Sequence, residues 1–232
     1  MAYMTFSIPA MLEGPRLAAG LVKLGIAAVT SPRVGNRLHE LAEVIERDRL
    51  LRPAVACQVL PFSCRESEPE RWHIGDRALP GAVLDRLAGA TEVAVVFVTV
   101  GAAWSEASTA SFQRGDALRG YLLDEIGTNV LERLSLRVEA LIRMAARASG
   151  RRAGSPIEPG HAVLPLALQP MLAQLAQVQT AGIAITDGGM ISPPKSISML
   201  IGIGGNVRRW THAHACRECP SFTKCRHQGR RS

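Results

Sequence analysis

Aromatic residues are scarce in this sequence: five Phe, three Trp and two Tyr among 232 residues, so any core must be built mainly from aliphatic side chains. No long hydrophobic run occurs. The longest, Val93–Val98 (VAVVFV), is far too short to span a bilayer. The first twenty residues carry no basic cluster ahead of an apolar stretch, so no secretory signal is read there and a cytoplasmic location is expected. A dinucleotide fingerprint and a phosphate-binding P-loop are both missing; GIGGN at Gly202–Asn206 has neither the spacing nor a helix after it. A serine nucleophile elbow is also absent.

What is present is an ordinary globular composition, 47% hydrophobic and 20% charged, in a chain long enough to bury a sizeable core. The net charge of +7 is unevenly placed: residues 208–232 hold seven Lys or Arg and one acid, and the rest is nearly balanced. Basicity therefore belongs to the tail. A nucleic-acid partner is disfavoured, because only Trp210 and Phe222 are there to stack on bases.

The chain divides into an N-terminal helical segment (1–55), a central domain (56–207) and a basic, Cys-rich tail (208–232). Helices are expected over Pro15–Leu24 and over Asn36–Leu51, with Asn36 as N-cap and Leu38, Leu41 and Ile45 on one face. His39 reads as a surface or boundary histidine. Residues 51–75 read as short β-prone pieces, followed by a helix from about Pro80 to Gly89 and a buried strand at Thr91–Gly101.

From Asp116 to Ser149 an apolar stripe at three- and four-residue spacing marks a long helix. Gly120 and Gly127 interrupt it, which implies a close neighbouring backbone or a bend. A polar linker follows, then a helix over Pro170–Ala181 stopped by Gly182. In the last strand Ile197, Met199, Ile201 and Ile203 share one face. Ser196, Ser198, Leu200, Gly202 and Gly204 share the other, with room for something close. The expected class is α+β, helices flanking a mostly antiparallel sheet.

One loop stands out. IAITDGGMISPPKSISMLIGIG at 183–204 places an acid, two glycines, two prolines and a lysine between two β-prone runs. The plain reading is a hairpin turn in which Asp187 caps the bend. Taken with VTVG, GDALRGYLLDEIGTNVLE and EPGHAVLPLALQP, however, the order of motifs resembles the activation domain of cobalamin-dependent methionine synthase. It resembles more closely the stand-alone bacterial proteins built from that domain. Their pattern is an L-D-x-x-G-[ST] helix, an R-x-x-P-G-Y loop with W/C-P-L-x-x-Q behind it, and I-G-[IV]-x-L-T-E-S-x-M-M-x-P-x-K-S-[VI]-S. The likeness runs from about Trp72 to Gly204.

The resemblance implies a methionine synthase activation domain-like fold that binds S-adenosylmethionine. It implies a methyltransferase component, rather than a complete enzyme, that supports reductive remethylation of a corrinoid held by a separate methyltransferase. No histidine of this chain has the Asp and Gly spacing of a corrinoid-ligating loop, which agrees with a corrinoid on the partner. The electron donor is not specified by the sequence. By the same resemblance the cofactor-binding residues are Gly160, His161, Thr186, Asp187, Lys195 and Ser196, with Pro194 near the end of the loop. His161 on its own also reads as a boundary histidine. The family's arginine before Gly160 is Pro156 here, with Arg151 or Arg152 as the available substitutes.

The tail offers a second site. Cys216, Cys219 and Cys225 are spaced C-x2-C-x5-C, with His212, His214 and His227 nearby. Three cysteines and one histidine would satisfy zinc; an iron–sulfur cluster would need a fourth thiolate from Cys57, Cys64 or outside. Unligated thiols on a flexible basic tail are the alternative, and Cys57 and Cys64 otherwise read as structural. The competing functional reading is a metal-bearing electron-transfer or docking adaptor that keeps the fold without S-adenosylmethionine.

Overall fold

The computed structural model describes residues 35–65, 68–79, 84–160, 164–210 and 222–224. The expected helix at Pro15–Leu24 lies outside them. Helix α1 (Gly35–Arg47) matches the second expected helix. Asn36 falls inside its first turn rather than at the cap, and the helix stops four residues early, before Arg49 turns to φ 49°.

The sheet has six strands: β1 (Ala54–Arg65), β2 (Glu68–Ile74), β3 (Arg77–Leu79), β4 (Glu92–Thr99), β5 (Arg152–Ala153) and β8 (Ser196–Gly204), ordered β3-β2-β1-β4-β8-β5. Every pairing among them is antiparallel, as the sequence led one to expect. Residues 51–75, read as short pieces, hold a 12-residue strand, β1, and the seven-residue β2. The first part of β1, Ala54–Pro61, pairs with β4, and its last, from Phe62, pairs with β2. Pro61, which has no amide hydrogen to give, sits at that handover, and its carbonyl accepts from Gly75 N–H at 2.8 Å.

Strand β4 is buried from Val93 onward, and alternate side chains enter two separate cores. Ala94, Val96 and Val98 join α1 and the long helix on one face; Val93, Val95 and Phe97 join the second core on the other. Leu41 and Ile45 of α1 share that first core. The second core is filled by Leu87 of α2 (Leu84–Leu87) and by Leu172, Ala173 and Ala176 of α5 (Gln169–Ala176). Of the helix expected at Pro80–Gly89, the described part is this single turn.

Helix α3 (Ala102–Gln113) was not anticipated, whereas α4 (Ala117–Ala148) runs uninterrupted for 32 residues with Asp116 capping Arg119 N–H. The helix continues through its glycines, and what each one meets is an aromatic ring rather than a backbone. A Cβ on Gly120 would lie 2.8 Å from the Phe112 ring, and one on Gly127 would lie 2.4 Å from Trp104 Nε1. Two rings of α3 thus occupy the space that side chains at these α4 positions would need. Trp104 is fully buried and donates to Leu123 O at 2.7 Å, while Ser108 Oγ donates to Gly120 O at 2.9 Å. The expected helix at Pro170–Ala181 is divided in two: Gln177 adopts the left-handed conformation between α5 and a 3-10 turn at Val178–Ala181, which Gly182 ends as foreseen.

The small residues of β8 leave no room. A Cβ on Gly204 would lie 2.2 Å from Gly89 O, and one on Gly202 would press on Leu87 and Ala90. That face is closed by the protein's own α2 segment. Among the described residues no helix is long and apolar enough to cross a membrane.

Gly127→Ala is expected to destabilise the protein by about 1–3 kcal/mol despite alanine's better helix propensity, because Trp104 must move and strain its hydrogen bond. Urea unfolding checks this; a gain in stability would refute the account of the α3–α4 contact.

Candidate functional site

The loop singled out in the sequence is not a connection within the main sheet. Ala184–Ile185 (β6) and Ile191–Ser192 (β7) form their own two-stranded ladder, and a five-residue turn, Thr186–Met190, closes it. Thr186 N–H donates to Met190 O at 2.9 Å, and Gly189 N–H donates to Thr186 O at 2.8 Å. Met190 N–H donates to Thr186 Oγ1 at 3.1 Å. The side chain of Thr186 therefore works inside the turn. Asp187 sits exposed at its tip.

A second turn flanks β8. Ile157 bridges Leu200, with both amides donating across at 2.8–2.9 Å, and the chain then reaches Gly160 at φ 95°. Gly160 N–H donates to Leu164 O at 2.8 Å, and none of the described residues comes within 4 Å of where its Cβ would be. Such a φ suits glycine, and Gly160 is exposed. His161 falls outside the described residues.

Gln169, which in the sequence is only one letter of the EPGHAVLPLALQP motif, ties the hairpin to β8. It is buried at the start of α5, donates from Nε2 to Gly189 O at 3.4 Å, and accepts from Ser198 Oγ at 2.8 Å. The hairpin is thereby held against the segment that follows Gly160. Two exposed apolar side chains lie on these segments, Leu166 at 41% and Met190 at 62%. Asp187, Met190 and Leu166 present a carboxylate and apolar surface to solvent on these segments.

Lys195 and Ser196 are placed elsewhere. Lys195 shares the strand face of Ile197 and Met199 and reaches α4. Its Nζ is 2.8 Å from Asp124 Oδ1 and 2.8 Å from Thr128 Oγ1. Ser196 Oγ donates to Pro193 O at 2.7 Å, beside the cis Ser192–Pro193 bond. The six residues named from sequence thus separate: Gly160, Thr186 and Asp187 lie on the α5 side, while Lys195 points to the α4 side. Arg151 does not substitute for the missing arginine at this site; it pairs with Glu92 at the sheet edge, and Arg152 is exposed in β5.

The tail cysteines Cys216, Cys219 and Cys225 lie outside the described residues. Among the described residues no group of His, Cys, Asp and Glu could hold a metal ion. Cys57 packs against the first core, and burial pushes its thiol up from 9.0 to about 12. It is a neutral side chain at ordinary pH, not a ready thiolate. The root of the tail is fixed: Trp210 exchanges hydrogen bonds with Ser155 at 2.9 and 3.0 Å, and its ring lies under the Arg86 guanidinium at 4.9 Å.

No family model and no curated protein matches this sequence. Among solved structures the chain is similar to the MetH reactivation domain bound to AdoHcy. The TM-score is 0.55 and the identity 13%, covering 86% of this chain and 70% of that one. The likeness is one of fold.

Gln169→Leu is expected to cost about 1–3 kcal/mol, since it strands the buried Ser198 hydroxyl. Adding Ser198→Ala should recover part of that loss, because both buried polar partners are then gone. Urea unfolding of the single and double variants checks it; an equal or larger loss in the double variant would show that Gln169 does not act through Ser198.

Proposed function

We propose that the protein binds S-adenosylmethionine between the Gly160 turn and the Thr186–Met190 hairpin and serves as a reactivation module for a corrinoid held by a separate methyltransferase. The observations that carry this reading are an exposed Gly160 at φ 95° and a hairpin, held by Gln169 of α5, that has an exposed carboxylate at its tip. Its support is the ordered set of motifs in the sequence, together with a fold similar to a reactivation domain that binds AdoHcy.

The residues present suit such a ligand. Asp187 would take its ammonium group, and the accessible backbone at Gly160 would take polar edges of its base. Leu166 and Met190 would cover apolar surface. When bound, the cofactor supplies an electrophilic methyl group for a reduced corrinoid on the partner protein. This chain's own contribution is to hold and orient the cofactor; proton transfer is not asked of it. Pro156 supplies no cation for the ligand carboxylate, and Arg151 is committed to Glu92, so affinity should be modest.

The tail is proposed as a metal-binding appendage on its Cys216, Cys219 and Cys225 spacing, anchored at Trp210. Zinc would give it a structural role. An iron–sulfur cluster would suit receipt of an electron.

Isothermal calorimetry with S-adenosylmethionine and its demethylated product tests the main reading. Saturable binding is expected, weakened roughly ten- to hundredfold by Asp187→Asn through loss of a charged hydrogen bond. No heat at millimolar ligand overturns it. For the tail, anaerobic purification followed by metal analysis is expected to find zinc or iron that Cys216→Ser/Cys219→Ser loses. Metal-free protein would return the three thiols to an unligated state.

A further inference from the structure

We infer that Asp124 and Thr128 of α4 form a tether for Lys195 that fixes the position of the ligand hairpin, which makes Lys195 a positioning residue and gives the Leu123–Thr128 stretch (LDEIGT) its purpose. That a ligand uses the hairpin rests on the function proposed above; the mechanical claim does not.

The two helix residues lie one turn apart, so both face the same point. Thr128 Oγ1 donates its proton to Asp124 O at 3.0 Å, which leaves its lone pairs for the lysine ammonium. The Lys195 side chain is only 15% exposed, against 55% for Asp124. An ammonium so covered is costly unless it is paired, and here it has a carboxylate and a hydroxyl. The remaining members of the stretch seat the helix itself. Leu123 O accepts from Trp104, and Gly127 lets the Trp104 ring approach closely, so α4 is seated on α3 by the same stretch that presents the tether.

Lys195 is also fixed through its backbone. Its carbonyl accepts from Val100 N–H at 3.1 Å and from Thr99 Oγ1 at 3.4 Å. Three residues before it, β7 ends. The hairpin is consequently gripped from both sides of the sheet: Gln169 holds Gly189 from the α5 side, and Asp124 with Thr128 holds Lys195 from the α4 side. Neither grip uses Asp187 or Gly188, and the tip stays available. By strand parity the lysine head points away from the Gly160 turn, so its effect on a ligand passes through the hairpin.

The test combines residue-resolved amide hydrogen exchange with calorimetry on the full chain. Lys195→Met, Asp124→Asn and Thr128→Val should each speed exchange of the Gly189 and Met190 amides, by about tenfold for the first two, and leave Val96 and Leu200 unchanged. Asp124→Glu should restore slow exchange. If the wild type binds S-adenosylmethionine, Lys195→Met should weaken that binding in proportion to the hairpin opening.

Three outcomes would overturn the inference: hairpin exchange at wild-type rates in all three variants, acceleration spread equally over the core amides, or a loss of affinity in Lys195→Met with the hairpin unchanged. The last would show a direct contact with the ligand. If no ligand binds the wild type, the functional proposal fails while the exchange result still decides the tether. Should Lys195→Met not fold, Thr128→Val, which keeps both charges, provides the same comparison.

Discussion

Strand β8 is paired along both edges, with β4 on one side and Ile157 followed by β5 on the other. With Leu200 and its neighbours removed from water on both faces, each amide there must find a protein partner. Everything proposed for this molecule hangs from that doubly paired strand. Its first residue continues the hairpin, its middle fixes the segment that turns at Gly160, and its side chains divide between two cores. Shifting β8 by one residue would exchange its faces, burying Lys195 on the α5 side and turning Ile197 and Met199 away from α4. Register here sets which chemistry faces which layer.

Much of this was legible beforehand, and the reasons differ by element. Strand β4 announced itself because a strand buried on both faces must be apolar at every position. Helix α4 did so through its long stripe, and Gly182 through its place after an apolar helix. Helix α3 was silent because the face it buries carries Trp104, Ser108 and Ser111; two serines and a tryptophan make no hydrophobic period. The same contact explains the misreading of Gly120 and Gly127, since a close-packed ring asks for a missing Cβ as firmly as a backbone does. Strand β1 was read in pieces because Pro61 looked like a breaker, when it marks a change of partner.

The candidate site was legible as a set of residues but not as a geometry. Sequence order places Asp187 and Lys195 in one loop, yet they serve opposite sides of the sheet. Strand parity was the available clue: Lys195 falls in step with Ile197 and Met199, whose side chains reach α4. Gln169 carried no such clue. A glutamine at a helix start is unremarkable until Ser198 and Gly189 are seen to converge on it. Arg151 shows the converse, a cation that suited a vacancy in the pattern but finds Glu92 nearer.

The turn at Thr186–Met190 closes mainly on its own backbone and on Thr186 Oγ1, with Gln169 reaching it from outside. The side chains of Asp187 and Met190 therefore take no part in the hydrogen bonds that close the turn. Those two positions can change while the scaffold beneath keeps its stability, so the ligand preference proposed for this turn could shift without a change of fold. In this architecture molecular taste and structural soundness are inherited separately.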